Sequence, residues 1–96
     1  MDIKHESDGS RGAFFIEDDG QRLAEMTYVS SGISLLVIEH TIVSPALKGR
    51  GVGKQLVAAG VEYARRNGLT ILPLCSFARA EFDKSPAYAD VLYRQP

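Results

Sequence analysis

A chain of 96 residues has room for one domain, spanning residues 1–96, and none for a separate substrate domain. With 45% apolar and 24% charged residues it is not composed like a disordered chain, and a formal net charge of -1 gives no bulk attraction to nucleic acid or anionic lipid. The lone cysteine, Cys75, excludes an internal disulfide, no Cys/His set has zinc-ligand spacing, and no apolar run is long enough to span a bilayer.

The first residues, Met1 to Glu6, carry no apolar signal core. The expectation is a cytoplasmic protein, free of metal, bound neither to nucleic acid nor to membrane, and monomeric or weakly dimeric. Ala13–Glu17 is aromatic and β-branched and predicts a strand, and Asp18-Asp19-Gly20 supplies a turn able to take positive φ. Leu23–Val29 alternates with period 2, and Ser30-Ser31-Gly32 marks a second turn. Ile33–Val43 is apolar at both parities, which predicts a central strand covered on both faces.

From Gly51 to Asn67 the period changes. Val52, Leu56, Ala59, Gly60 and Tyr63 share a helical face, and Asn67-Gly68 is a stop signal. Leu69–Leu74 predicts a short buried strand, parallel to the strand before the helix because a right-handed crossover joins them. A last helix is expected over Phe77–Lys84, followed by a turn at Ser85-Pro86. The predicted order is β-β-β-β-α-β-α, an α/β (α+β) mixed, mostly antiparallel sheet, although pattern locates only three of the first four strands.

The most informative stretch is Lys48-Gly49-Arg50-Gly51-Val52-Gly53-Lys54. A strand ends, Pro45 breaks it, and glycines lead into a helix. Backbone N–H groups without neighbouring side chains can approach an anion, and the first helical turn has N–H groups with no intrahelical partner. Lys48, Arg50 and Lys54 add local cations, so the loop predicts a pyrophosphate site. A Walker-type phosphate loop is excluded, because Gln55 follows Lys54 and Gly49 and Gly53 stand too close. A dinucleotide fingerprint would follow the first strand of a βαβ unit, not a meander.

The same loop resembles the coenzyme A signature [QR]-x-x-G-x-[GA] of the GCN5-related N-acetyltransferase superfamily. It departs only at Lys48, which keeps the charge but not the forked geometry of arginine. Further segments resemble the very small single-domain members. They are Ile38-Glu39-His40-Thr41, Leu47 to Val57, Ile71 to Ala78, and Tyr88-Ala89-Asp90. The resemblance implies a minimal acyl-CoA N-acyltransferase fold, with acetyl-CoA as co-substrate. The pantetheine arm would lie between strands splaying after Val43 and Leu74. Ile42, Val43, Lys48, Gly49, Arg50, Gly51, Val52, Gly53, Lys54, Ser76 and Phe77 would then bind the coenzyme. The resemblance also implies an open acceptor side, because the helices and strands that wall the cleft of larger members have no counterpart here.

Acetyl transfer to an amine needs a neutral amine, a positioned thioester and stabilised charge on the tetrahedral oxygen. His40 and Glu39 are candidate catalytic residues on the strand flanking the thioester. As neighbours they point to opposite faces unless a bulge re-aims them. Cys75 precedes the last helix, whose N-terminus favours thiolate. The small-family resemblance implies that it faces the thioester end, where it could take the acetyl group or hydrogen-bond the leaving thiolate.

Phe77 and Phe82 read as core by helical spacing. Arg79, Glu81, Asp83 and Lys84 read as solvated charges, and His5 as exposed. Tyr63 could pack on coenzyme or sheet, and Tyr28, Tyr88 and Tyr93 are candidates for a dimer contact. Two functions follow. One is acetyl transfer to a primary amine of a protein, peptide or small molecule, which the resemblance favours. The other is a coenzyme A or acyl-CoA sensor or interaction module without efficient turnover.

Overall fold

The computed structural model describes residues 2–94. Five strands form one sheet in sequence order: β1 (Lys4–Ser7), β2 (Arg11–Asp18), β3 (Gln21–Ser31), β4 (Leu35–Val43) and β5 (Thr70–Pro73). The first four pair antiparallel and β4 pairs parallel to β5 across the helix α1 (Val52–Asn67). A second helix, α2 (Ser76–Lys84), and a short 3-10 helix, Pro86–Val91, complete the order β-β-β-β-α-β-α. The strand that pattern does not locate is β1, whose four residues are exposed and carry no alternation.

Local chemistry explains the turns. Asp19 (φ 53°) and Gly20 (φ 76°) both take positive φ, the conformation a two-residue hairpin needs to match strand twist. Gly68 (φ 68°) ends α1 and donates its N–H to the carbonyl of Ala64. Both helices lie on one face of the sheet. A single core joins Phe14, Met26, Tyr28, Leu36, Ile38 and Ile71 of the strands to Leu56, Val57 and Val61 of α1 and to Ala78 and Phe82 of α2.

Three expectations differ from the fold. The strand begins at Leu35 rather than Ile33, which sits in the turn at 98% exposure. It is also covered on one face only, with Leu36 and Ile38 buried and Leu35 and Val37 half-buried. Its outward apolar residues form part of the helix-free face. Tyr28, an expected dimer contact, is instead 2% exposed within the core. Its ring lies where a Cβ on Gly12 would stand, at 2.4 Å, so the cross-strand glycine makes its space.

The helix-free face has its own cover. Arg22 lays its guanidinium 3.8 Å from the centre of the Phe15 ring and binds Glu6 (2.6 Å) and Glu25 (3.2 Å). That arrangement explains how Phe15 is buried without a helix above it. No helix among the described residues is long and apolar enough to cross a membrane.

Candidate active site

The pairing of β4 with β5 stops at Ile38 opposite Pro73, and the last bond runs from Leu74 N–H to Ile38 O at 3.0 Å. Beyond it β4 continues through Glu39 to Val43 paired only with β3, while the chain at Leu74 turns into α2. The two parallel strands therefore open a gap. On the helix side it widens into a groove of about 480 Å³, with Thr41 and Val43 on one wall, Phe77 and Glu81 on the other, and the glycine loop at one end.

The loop end gathers backbone donors that the helix leaves unpaired. Ser44 caps the 3-10 turn Pro45–Leu47, its Oγ accepting from Ala46 N–H at 3.2 Å, and this turn lifts the chain out of the sheet. Gly49 (φ 82°) and Gly51 (φ 67°) then bend it into α1. Gly51 is the N-cap, and no side chain caps the helix. The first intrahelical bond is Gln55 N–H to Gly51 O at 3.1 Å, which leaves the N–H groups of Val52, Gly53 and Lys54 ahead of the ladder. A Cβ at Gly53 would stand 2.7 Å from the Phe77 ring, so glycine there lets α2 close against the first turn of α1. Lys48 and Lys54 line the groove and form no ion pair among the described residues.

At Cys75 the thiol itself is the N-cap of α2. Its Sγ accepts from Ala78 N–H at 3.3 Å and lies 3.5 Å from Thr41 Oγ1, which joins α2 to the helix-side face of β4 across the gap.

Glu39 and His40 stand on the other face. Thr27 pairs with His40 but Tyr28 with Ile38, so Glu39 is the extra residue of a β-bulge. The bulge turns both side chains to the helix-free face. Glu39 Oε1 lies 3.3 Å from Arg11 Nη1, while His40 Nε2 is 3.2 Å from Thr27 Oγ1 and 3.7 Å from Glu25 Oε2. Glu39 lines a shallow depression of about 380 Å³, where Glu6, Arg11 and Arg22 mix the charges, and His40 stands beside Thr27 of the same lining.

The predicted residues thus divide. Val43, Lys48, Gly49, Gly51, Val52, Gly53, Lys54 and Phe77 meet at the groove, Cys75 stands at its β4–α2 end, and Ser76 opens α2 as an exposed residue. Ile42 points to the helix-free face beside Arg22 and Glu25, and Arg50 lies against the depression holding Asp2, Lys4 and Glu17. Tyr63 packs edge-on to His5 and Phe14 over the sheet. Phe82 is core as expected, while Phe77 is 40% exposed in the groove wall.

Glu81 is the correction of most consequence. Far from being solvated, it is 4% exposed and lines the groove. The signal was present in its spacing, one turn after Phe77 on the same side of α2. Among the described residues, no group of three or more His, Cys, Asp or Glu side chains gathers as a metal site would require.

Residues 13–91 match the family described as GCN5-related N-acetyl-transferase. Among solved structures, a GCN5-like protein from Staphylococcus aureus is 38% identical, with a TM-score of 0.73 over 99% of this chain and 90% of its own. Two more distant structures share the fold. The ribosomal-protein-alanine N-acetyltransferase of Brucella melitensis is 16% identical, with a TM-score of 0.62 over 93% of this chain and 66% of its own. An aminoglycoside N-acetyltransferase in complex with CoA is 14% identical, with a TM-score of 0.59 over 98% and 92%. No curated protein matches the chain.

Proposed function

The chain belongs to the GCN5-related N-acetyltransferase family, and from that membership we propose that it transfers acetyl from acetyl-CoA to a primary amine. The observation that carries the reading is the polarity of one groove. A helix N-terminus without a side-chain cap, with two lysines that form no ion pair among the described residues, lies at one end, and a thiol stands near the other. Coenzyme A has the matching polarity, with pyrophosphate toward one end and sulfur at the other.

In this reading the pyrophosphate rests on the N–H groups of the loop and first turn, with Lys48 and Lys54 beside it. The pantetheine arm lies along the edge of β4 left unpaired after Ile38, where its amides can extend the sheet as an added strand would. The thioester then reaches the gap by Thr41 and Cys75. An amine approaches through the gap from the helix-free face, where Glu39 or His40 takes the proton of its ammonium form. The neutral nitrogen attacks the thioester carbonyl, the tetrahedral adduct collapses, and the C–S bond breaks. Coenzyme A leaves as thiolate and takes up the proton that the attacking nitrogen gives up as it becomes an amide. The Cys75 S–H is placed to stabilise that sulfur, or alternatively to accept the acetyl group first.

A second reading is a coenzyme sensor or docking module without efficient turnover. It is favoured by one observation: Glu39 and His40 lie on the opposite side of β4 from Cys75 and Thr41. Titration calorimetry with acetyl-CoA and free coenzyme A, with mass spectrometry of the mixture, tests both readings. Binding with amine-dependent release of free thiol supports transfer, and binding with no loss of acetyl supports the module. No binding overturns both.

Because Cys75 caps α2, Cys75→Ala removes cap and thiol together. Cys75→Ser keeps an N-cap acceptor and removes only the sulfur. If the thiol takes part, both variants lose turnover while the serine variant keeps wild-type stability. Wild-type turnover in Cys75→Ser would make the residue a cap and nothing more.

A further inference from the structure

A carboxylate that is 5% exposed at its side chain is an unusual lining for a groove whose end is positive. Glu81 has one ionic partner, Lys84, at 3.2 Å from its Oε2, and that lysine is 66% exposed. Among the described residues no hydrogen bond is made to the other oxygen, Oε1, yet no buried side-chain oxygen is sealed without a partner. Oε1 therefore keeps some exposure, and Glu81 is one of the residues that line the groove. A buried charge held by one solvated lysine is costly for a fold to keep, and apolar replacements of such pairs are often neutral or stabilising. Glu81 is better explained by what enters the groove.

The entering group must donate, because a carboxylate only accepts. Phosphate oxygens are excluded by like charge, which leaves the uncharged arm. On α2, Glu81 stands six residues beyond Cys75, about 9 Å along the helix axis. In pantetheine the amide nitrogen farther from the sulfur is seven bonds away from it, about 8 Å at extended-chain spacing. With the sulfur near Cys75, that N–H comes level with Glu81.

We propose that Glu81 is a coenzyme-binding residue whose carboxylate accepts the N–H of the pantetheine amide farther from the sulfur. The proposal rests on the coenzyme reading above and adds to it a determinant on α2 that recognises the arm rather than the phosphates. It also assigns a direction: the arm runs along α2 from Cys75 toward Glu81, so a ligand without the arm never meets Glu81.

The test measures affinity of wild type, Glu81→Leu and Glu81→Gln for coenzyme A and for 3′-phosphoadenosine 5′-diphosphate, the same nucleotide without the arm. Thermal melting checks that each variant folds. The expected result is at least about a tenfold loss of coenzyme A affinity in Glu81→Leu, the effect of deleting a hydrogen bond to a charged acceptor. Glu81→Gln, whose amide oxygen still accepts, recovers part of the loss, and nucleotide affinity stays within about twofold in all three proteins. Unchanged coenzyme A affinity in a folded Glu81→Leu overturns the proposal. So does an equal loss for both ligands, which would mean a general disturbance of the groove. If the wild type binds the nucleotide but not coenzyme A, the arm placement and Glu81 with it are wrong. Failure to bind either ligand overturns the coenzyme reading itself.

Discussion

Gly53 and Phe77 form one contact between the first turn of α1 and the wall of the groove. A methyl group at Gly53 would meet the Phe77 ring at 2.7 Å, but that ring is 40% exposed and can swing outward. Gly53→Ala should therefore cost under about 1 kcal/mol of stability, since alanine also favours the helix interior over glycine. Coenzyme affinity should fall, because the displaced ring moves into the groove. Urea denaturation and calorimetry read the two effects separately, and equal affinity would place the ring outside the binding path. Toward the β1 edge of the sheet, on the face that carries α1, His5 stacks on Phe14 at 4.2 Å and hydrogen-bonds Tyr28 Oη through Nε2 at 2.6 Å. Burial pushes its pKa below the ordinary 6.5, against an upward pull from Glu6. The folded state then binds fewer protons at His5 than the unfolded one. Its contribution is complete above about pH 6.5 and is lost as pH falls through the lowered folded value. Wild type should lose more stability than His5→Phe between pH 7.5 and 5, read as the shift of the urea midpoint. Identical shifts would show that His5 titrates alike in both states.

At the scale of elements, the tail is tied to α1 by a fork. Arg65 Nε and Nη2 bind the two oxygens of Asp90 at 2.7 and 2.8 Å, and Nη2 also donates to Ala87 O at 3.1 Å. The tail in turn completes the outer edge of β5, where Tyr93 N–H donates to Ile71 O at 2.8 Å. Arg65→Lys keeps the charge but loses the planar fork. Amide exchange at Tyr93 should accelerate in this variant while Leu56 in α1 keeps its protection, and unchanged exchange would mean the tail is held by Val91 and Phe82–Tyr88 packing alone. Elements of this kind differ in how far they can be read from sequence. The hairpin at Asp19-Gly20, the stop at Gly68 and the glycine turn into α1 are legible because each is decided by a few adjacent residues and their backbone chemistry. The bulge at Glu39 is not, because it is a mismatch between two strands and exists only in the register of β4 against β3. Without it Glu39 and His40 read as pointing apart; with it they share a face. The two-sided burial inferred for Ile33–Val43 fails for a related reason. Leu35, Val37 and Ile42 are apolar and face outward, but both helices pack on the other face. Glu81 was read by residue type, whereas its position one turn after Phe77 decided its burial.

For the whole molecule, placing both helices on one face divides the domain into a groove side and an open side, with the β4–β5 gap between them. A ligand that seats against β4, α1 and α2 at once should brace the elements that form the core. Ligand at a hundred times its dissociation constant stabilises the folded state by about 2.7 kcal/mol. In a domain of this size that is a rise in melting temperature on the order of 10–20 °C. Gly51→Val separates this coupling from the fold. At φ 67° a β-branched residue is strained, and the variant should be less stable by roughly 1–2 kcal/mol. A Cβ at Gly51 meets nothing within 4 Å, so the core is not disturbed and the protein still folds. The new side chain occupies the approach to the loop N–H groups instead. Melting curves with and without acetyl-CoA should then show a lower starting temperature for Gly51→Val and almost no rise on adding ligand. A full rise in the variant would mean that the coenzyme braces the molecule elsewhere and that the glycine loop is only a turn. A lost rise with a preserved unliganded transition would locate the brace at the junction where β4, the loop and both helices meet.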